Sequence, residues 1–315
     1  MNSTLNKVVN LYKPIGPTSF DLVRRVQNRF SARKAGHIGT LDPLAEGVLP
    51  VCINGATRII QFLTRLPKVY LAEMKLGVAT DTQDSEGKEL ETRPWEGVGE
   101  AEVKRALATL RERKTQVPPM FSAKKKNGVP LYKLARNGIT VNREPVSIQI
   151  YSLEFIGQEE DRVTFRVHCS AGTYVRTLCH DAGELLGCGA HMTRLTRERV
   201  GPFDRASAIT PEHMDDAWED GTLPDKLLEP DHALNFLPEI RICEMGVRAV
   251  SHGRPITKAL LEQVPDEMTP GKFYRVTRPE SGLLAIAEPL LDNEGFSRLD
   301  PGQVAFKLKR VFIEP

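Results

Sequence analysis

The sequence predicts an α+β fold, a mixed and mostly antiparallel sheet flanked by helices and loops, followed by a small mostly-β domain. Two observations carry this. Strand-like alternation recurs at 68–78, 145–156 and 161–169, between stretches whose apolar residues fall at helical spacing. From about residue 241 the texture changes to one helix and several short strands. A chain of 315 residues has length for one large or two ordinary domains with a buried core. The expected division is 1–240 and 241–315.

Residues 8–12 (Val-Val-Asn-Leu-Tyr) read as a strand running into Lys13-Pro14. Thr18, with Asp21 three residues on, gives a capping-box-like helix start. Val23, Val26 and Phe30 follow at helical spacing, flanked by Arg24, Arg25, Arg29, Arg33 and Lys34. The run from Gly36 to Arg58 is the most distinctive in the chain. At its centre Asp42 precedes Pro43, which pushes it out of the α region. Gly36, Gly39 and Gly47 allow tight bends or close backbone approach. On local pattern alone Asp42 is a turn residue. Thr57 is expected to cap a short helix carrying Ile59, Ile60 and Phe62. In 68–78, Tyr70, Ala72, Met74 and Leu76 share one strand face, where a tyrosine is ordinarily core.

An amphipathic helix at 99–113 carries Val103, Ala106, Leu107 and Leu110. In 116–138 two prolines, the triplet Lys124, Lys125 and Lys126, and Asn127-Gly128 exclude a buried strand. The segments 145–156 and 161–169 read as a hairpin. Thr173 is expected to cap the next helix, with Leu178, Ala182, Leu185 and Leu186 on its apolar side. Residues 206–240 form an acidic connector punctuated by prolines. Beyond it come a helix at 244–252 and strands near 272–277, 283–289 and 303–313.

Net charge is only +2, but it is segregated. Residues 206–240 hold nine Asp/Glu against Lys226, while 103–143 hold eleven Lys/Arg against Glu112. A nearly neutral protein with such segregation can grip a phosphate backbone; a solvated helix and a basic loop would look the same. No long uncharged apolar run predicts a membrane span. The first residues lack the regions of a signal peptide, and five sparse cysteines suit reduced thiols, so a cytoplasmic protein is expected. Cys179, His180, Cys188 and His191 do not have a standard zinc spacing, and no metal is expected.

The run Gly-His-Ile-Gly-Thr-Leu-Asp-Pro around Asp42 resembles the signature segment of the bacterial TruB-type tRNA pseudouridine synthases. Lys13-Pro14, the strand and turn through Gly77–Gly87, Gly-Thr-Tyr-Val-Arg at 172–176 and the run from Leu186 to Arg197 resemble further segments of that family, in its order. The resemblance implies a pseudouridine synthase fold and, more weakly, a PUA-like C-terminal RNA-binding domain. It implies Asp42 as the catalytic carboxylate, Arg176 beside it, and Tyr70 stacking on the target base. Tyr174 would line the pocket, Leu195 would border the uracil, and Lys13 and Pro14 would brace the site. His37 would fill the space left by the flipped base. The insertion 116–138 would grip RNA through Lys124, Lys125, Lys126 and Arg136, becoming ordered on binding.

The implied reaction converts uridine 55 in the TΨC loop of tRNA to pseudouridine, without cofactor or guide RNA, by an expected monomer. It breaks the C1′–N1 bond and joins C5 to C1′, which calls for a carboxylate and exclusion of water. Rival readings are a tRNA-folding chaperone on the same fold, a glycosidase using Asp42 with Glu46, and a guide-dependent relative needing partner proteins.

Overall fold

A computed structural model describes residues 5–278 and 281–312; the remainder, including the last residue of the expected strand 303–313 and the start of the N-terminal reading, lies outside it. The central sheet has as its spine β1 (Val8–Lys13), β2 (Glu46–Ile53), β3 (Lys68–Leu76), β4 (Ile150–Glu159), β5 (Arg162–Cys169) and β6 (Ala190–Val200). Their spatial order is β4-β5-β3-β6-β2-β1. Every neighbouring pair is antiparallel except β6 and β2, which run parallel through Thr196–Glu46 and Arg197–Gly47. The hairpin β4–β5 and the alternation along β3 follow the sequence, and Tyr70, Ala72, Met74 and Leu76 all face the core.

Among the described residues, four longer helices pack on the sheet: α1 (Ser19–Arg29), α2 (Glu100–Arg111), α3 (Val175–Leu186) and α4 (Pro211–Glu219). Helices α2 and α3 bury Leu107, Leu110 and Leu178 against Phe165 and Met192. Helices α1 and α4 bury Val26 and Met214 against Leu11 and Leu49. The capping box of Thr18 and Asp21 is present at α1. Two expected caps are replaced. Thr57 lies inside a 3₁₀ turn, Asn54–Ile59, where its hydroxyl donates to the Asn54 carbonyl. At α3 the cap position is Tyr174, not Thr173. The Gln116 amide reaches in from the base of the insertion, accepting from the Tyr174 N–H and donating to its carbonyl.

The acidic connector joins elements. Asp215 accepts from Arg25 and Arg29, and Glu212 pairs with Arg25, so α4 neutralises part of the basic flank of α1. Asp231 pairs with Arg275 at 2.7 Å in the C-terminal domain. That domain is a six-stranded sheet whose first strand, Glu239–Ile242, crosses the expected 240/241 boundary. It pairs parallel with Tyr274–Arg278 and shares a core of Ile240, Val250, Val276 and Phe306. An edge contact of Phe62 with Phe273, centroids 5.1 Å apart, links the two parts.

The parallel junction fixes the distinctive loop. Gly47 has φ +114°, and a Cβ there would lie 2.3 Å from the Arg197 carbonyl oxygen. Only glycine lets β2 come this close to β6. Arg197 is fully buried, because its guanidinium crosses the junction to donate to the carbonyls of Val48, Thr40 and Gly39. Lys13, also fully buried, donates to the carbonyls of Ala45 (2.6 Å), Pro14 (2.9 Å) and Pro43 (3.2 Å). Ser19 Oγ accepts from the Leu41 N–H and donates to its carbonyl.

Two consequences are testable. Gly47→Ala should lose at least about 2 kcal/mol of stability from backbone strain and overlap, read as a lower denaturation midpoint. Burial, with Arg197 nearby, pushes the Lys13 ammonium from 10.5 down to about 8, against an opposing pull from Asp42. Between those values the unfolded chain holds the proton that the folded one has released, so Lys13 makes stability rise with pH across that window. Lys13→Met should flatten that rise in unfolding titrations; an unchanged profile would contradict it.

Candidate functional site

Asp42 sits where the loop leaves the Ser19–Leu41 clamp, its side chain 41% exposed. Arg176, in the first turn of α3, pairs with it through Nη2–Oδ2 at 3.0 Å. The same guanidinium pairs with Asp84 at 3.2 Å and donates to the carbonyls of Thr82 and Phe121. A cation is disfavoured at the positive end of a helix unless anions lie close; here two do. Asp84 is the inner one, buried and fixed by the Thr82 hydroxyl at 2.5 Å and the Glu86 N–H. The outer one, Asp42, keeps a free edge.

That edge opens on a cavity of about 270 Å³. The loop 39–42, the segment 170–176, Tyr70, Leu195, Lys68 and Arg197 form its walls, and Ser122 and Ala123 of the insertion close one side. Asp42 is the one carboxylate among the described lining residues. Tyr70 is buried with its hydroxyl hydrogen-bonded to Arg197; burial raises its pKa, which the Arg197 charge partly offsets. Lys68, buried, donates to the Thr64 and Leu66 carbonyls, and burial pushes its ammonium down to about 8. The apolar wall, the aromatic ring and the single paired carboxylate suit a flat, uncharged ring beside a sugar.

The structure therefore brings Asp42, Tyr70, Tyr174, Arg176 and Leu195 to one cavity. His37 lies apart from it, on a short strand Ala35–His37 paired with β2, and burial holds its imidazole below the usual range. Lys124, Lys125 and Lys126 are exposed on a small hairpin that turns at Asn127-Gly128, both with positive φ. Lys126 also donates to the Asn142 carbonyl. Arg136 lies over the Tyr132 ring, 5.6 Å from its centroid. Among the described residues no three His, Cys, Asp or Glu are grouped to hold a metal.

Sequence reasoning missed Asp84 as the second anion on Arg176 and Arg197 as the clamp on the loop. The first-turn arginine was the available signal, since one half-exposed carboxylate is a thin counterweight to a buried guanidinium.

Residues 27–175 match the model of the TruB family pseudouridylate synthase N-terminal domain. Residues 176–234 match that of the tRNA pseudouridylate synthase B C-terminal domain. The chain is 43% identical over 309 residues to tRNA pseudouridine synthase B of Syntrophotalea carbinolica, covering 98% of each chain. It is 40% identical over 316 residues to the protein of that name from Pelotomaculum thermopropionicum, covering 99% of this chain and 96% of that one. Among solved structures, a Cbf5-Nop10-Gar1 complex contains a chain superposing with TM-score 0.79 at 29% identity, covering 98% of this chain and 85% of that one. By its two matched domains and its full-length relatives, this chain belongs to the TruB family of pseudouridylate synthases.

Proposed function

We propose that this protein isomerises uridine 55 in the TΨC loop of tRNA to pseudouridine, working in the cytoplasm as a monomer and without guide RNA or cofactor. The observation that carries the reading is the cavity with one carboxylate, Asp42, held by the buried Arg176 and faced by Tyr70 and Leu195. A glycosidase commonly needs a second carboxylate on the reacting sugar. Glu46 does not line the cavity, and its side chain is engaged by the Thr196 hydroxyl.

The target base must leave its stack, which costs a few kcal/mol. Tyr70 receives it, with Leu195 against its edge. Asp42 then stabilises or traps the sugar-side or base-side centre that forms as C1′–N1 breaks. The base turns within the cavity, C5 joins C1′, the C5 proton leaves and N1, freed from C1′, takes up a proton. Arg176 fixes the direction of Asp42, and Asp84 fixes Arg176. Lys13 and Pro14 support the loop from behind. Lys124, Lys125 and Arg136 hold the RNA backbone on the exposed insertion, and Tyr132 offers a ring for stacking. The Phe121 carbonyl of that insertion accepts from Arg176, which supports a site built from this chain alone.

Asp42→Asn should reduce tritium release from a [5-³H]uridine TΨC stem-loop by at least about 10³-fold while RNA binding persists. Turnover by that variant at the parent rate would remove Asp42 from the chemistry. Replacing Lys124, Lys125 and Lys126 together by Ala should weaken RNA binding and make its log–log salt dependence shallower by about two. An unaltered slope would take the triplet out of the phosphate contacts.

A further inference from the structure

Ser122 lies at the base of the insertion, is 4% exposed, and lines the cavity with Asp42, Tyr70 and Arg176. Its backbone is fully engaged: the N–H donates to the Met120 carbonyl and the carbonyl accepts from the Tyr132 N–H, each at 3.0 Å. Its Oγ has no hydrogen-bond partner among the described residues. By contrast, the buried hydroxyls of Ser19 and Thr80 donate to the carbonyls of Leu41 and Asp84. Buried polar groups left alone are uncommon and call for an explanation.

The surroundings supply one. The preceding residue, Phe121, accepts from Arg176 Nη2 at 2.8 Å, the nitrogen that also pairs with Asp42. The base of the insertion is thus part of the cavity wall. The cations of that wall are already committed: Arg197 to three carbonyls, Lys68 to two, and Arg176 to two carboxylates and two carbonyls. Ser122 retains unused capacity both to donate and to accept. A uridine nucleotide presents both complements, in its base carbonyls, its N3–H and its ribose hydroxyls.

We propose that Ser122 Oγ is a recognition contact for the target nucleotide, acquiring its hydrogen-bond partner when the nucleotide enters and resets the wall at 121–123. The identity of the ligand rests on the function proposed above; the orphaned hydroxyl does not. The contact makes grip and chemistry one unit, because the segment that holds the nucleotide also holds Arg176.

A purely structural serine and a substrate-contacting one predict opposite results. Deleting a buried hydroxyl that bonds nothing leaves the fold as stable or more so. Deleting a contact to substrate lowers kcat/KM, because the nucleotide group is left unpaired. Ser122→Ala and the near-isosteric Ser122→Cys would be compared with wild type for Tm and for kcat/KM on the TΨC stem-loop. The expected result is a fall in kcat/KM of about tenfold for Ala, with Tm unchanged or raised. Binding of the same RNA would be measured with Asp42→Asn alone and with Asp42→Asn plus Ser122→Ala. The double variant should bind several-fold more weakly. Wild-type kcat/KM and undiminished binding in the Ser122 variants would overturn the proposal, as would a lowered Tm in Ser122→Ala, which would mean that the hydroxyl serves the fold. If wild type binds RNA but releases no tritium, the functional reading fails separately, and the binding comparison still decides the role of Ser122.

Discussion

Everything in the site depends on the close approach of β6 to β2. The sheet is antiparallel except at this junction, where Thr196 and Arg197 run parallel to Glu46 and Gly47. An ordinary residue at 47 would drive its Cβ into the Arg197 backbone. With glycine there, the Arg197 guanidinium passes across the seam into the carbonyls of Val48, Thr40 and Gly39. Lys13 grips the other side of the same loop through the Pro43 and Ala45 carbonyls. Two buried cations therefore do with backbone carbonyls what regular secondary structure cannot do for so irregular a segment. Burying charge is costly unless it is hydrogen-bonded this fully. The return is a carboxylate whose backbone has little freedom.

The second layer is electrostatic. Arg176 stands between a buried and a half-exposed carboxylate, and only the outer one reaches the cavity. Such a bridge aims Asp42 by fixing its partner on three elements: the turn at 82–84, helix α3 and the insertion at Phe121. Group transfer within one nucleotide requires that the freed base stay where it was released, and water stay out. A small cavity walled by Tyr70, Leu195 and the insertion meets that requirement better than an open cleft. Membership of the pseudouridylate synthase family and the geometry of the wall point the same way.

Much of this was legible in the sequence. The alternation along β3, the hairpin β4–β5 and the capping box at Thr18 are local signals, and each reappears in the fold. The juxtaposition of Asp42 and Arg176 was legible through family resemblance and a misplaced first-turn cation, not through spacing. What stayed hidden is non-local. The N-cap residue of α3, Tyr174, is held by the Gln116 amide from more than fifty residues away, and Thr173 does not take the expected role. Arg197 was passed over because nothing in a strand pattern distinguishes a buried guanidinium from a solvated one. Asp84 lay within a turn rich in Thr, Asp and Ser. The acidic connector read as a spacer, yet its carboxylates pair with Arg25, Arg29 and Arg275, charges that proximity in sequence would never match.

The central claim is that one aimed carboxylate in a walled cavity moves the base within the nucleotide and does not release it. The direct measurement is the fate of a labelled uracil ring in a TΨC stem-loop after incubation with wild-type protein alone, with RNA-bound pseudouridine and free uracil quantified together. The account predicts that all converted label remains in the RNA as pseudouridine. Free uracil accumulating in place of pseudouridine would contradict it, and would make the cavity that of a hydrolase.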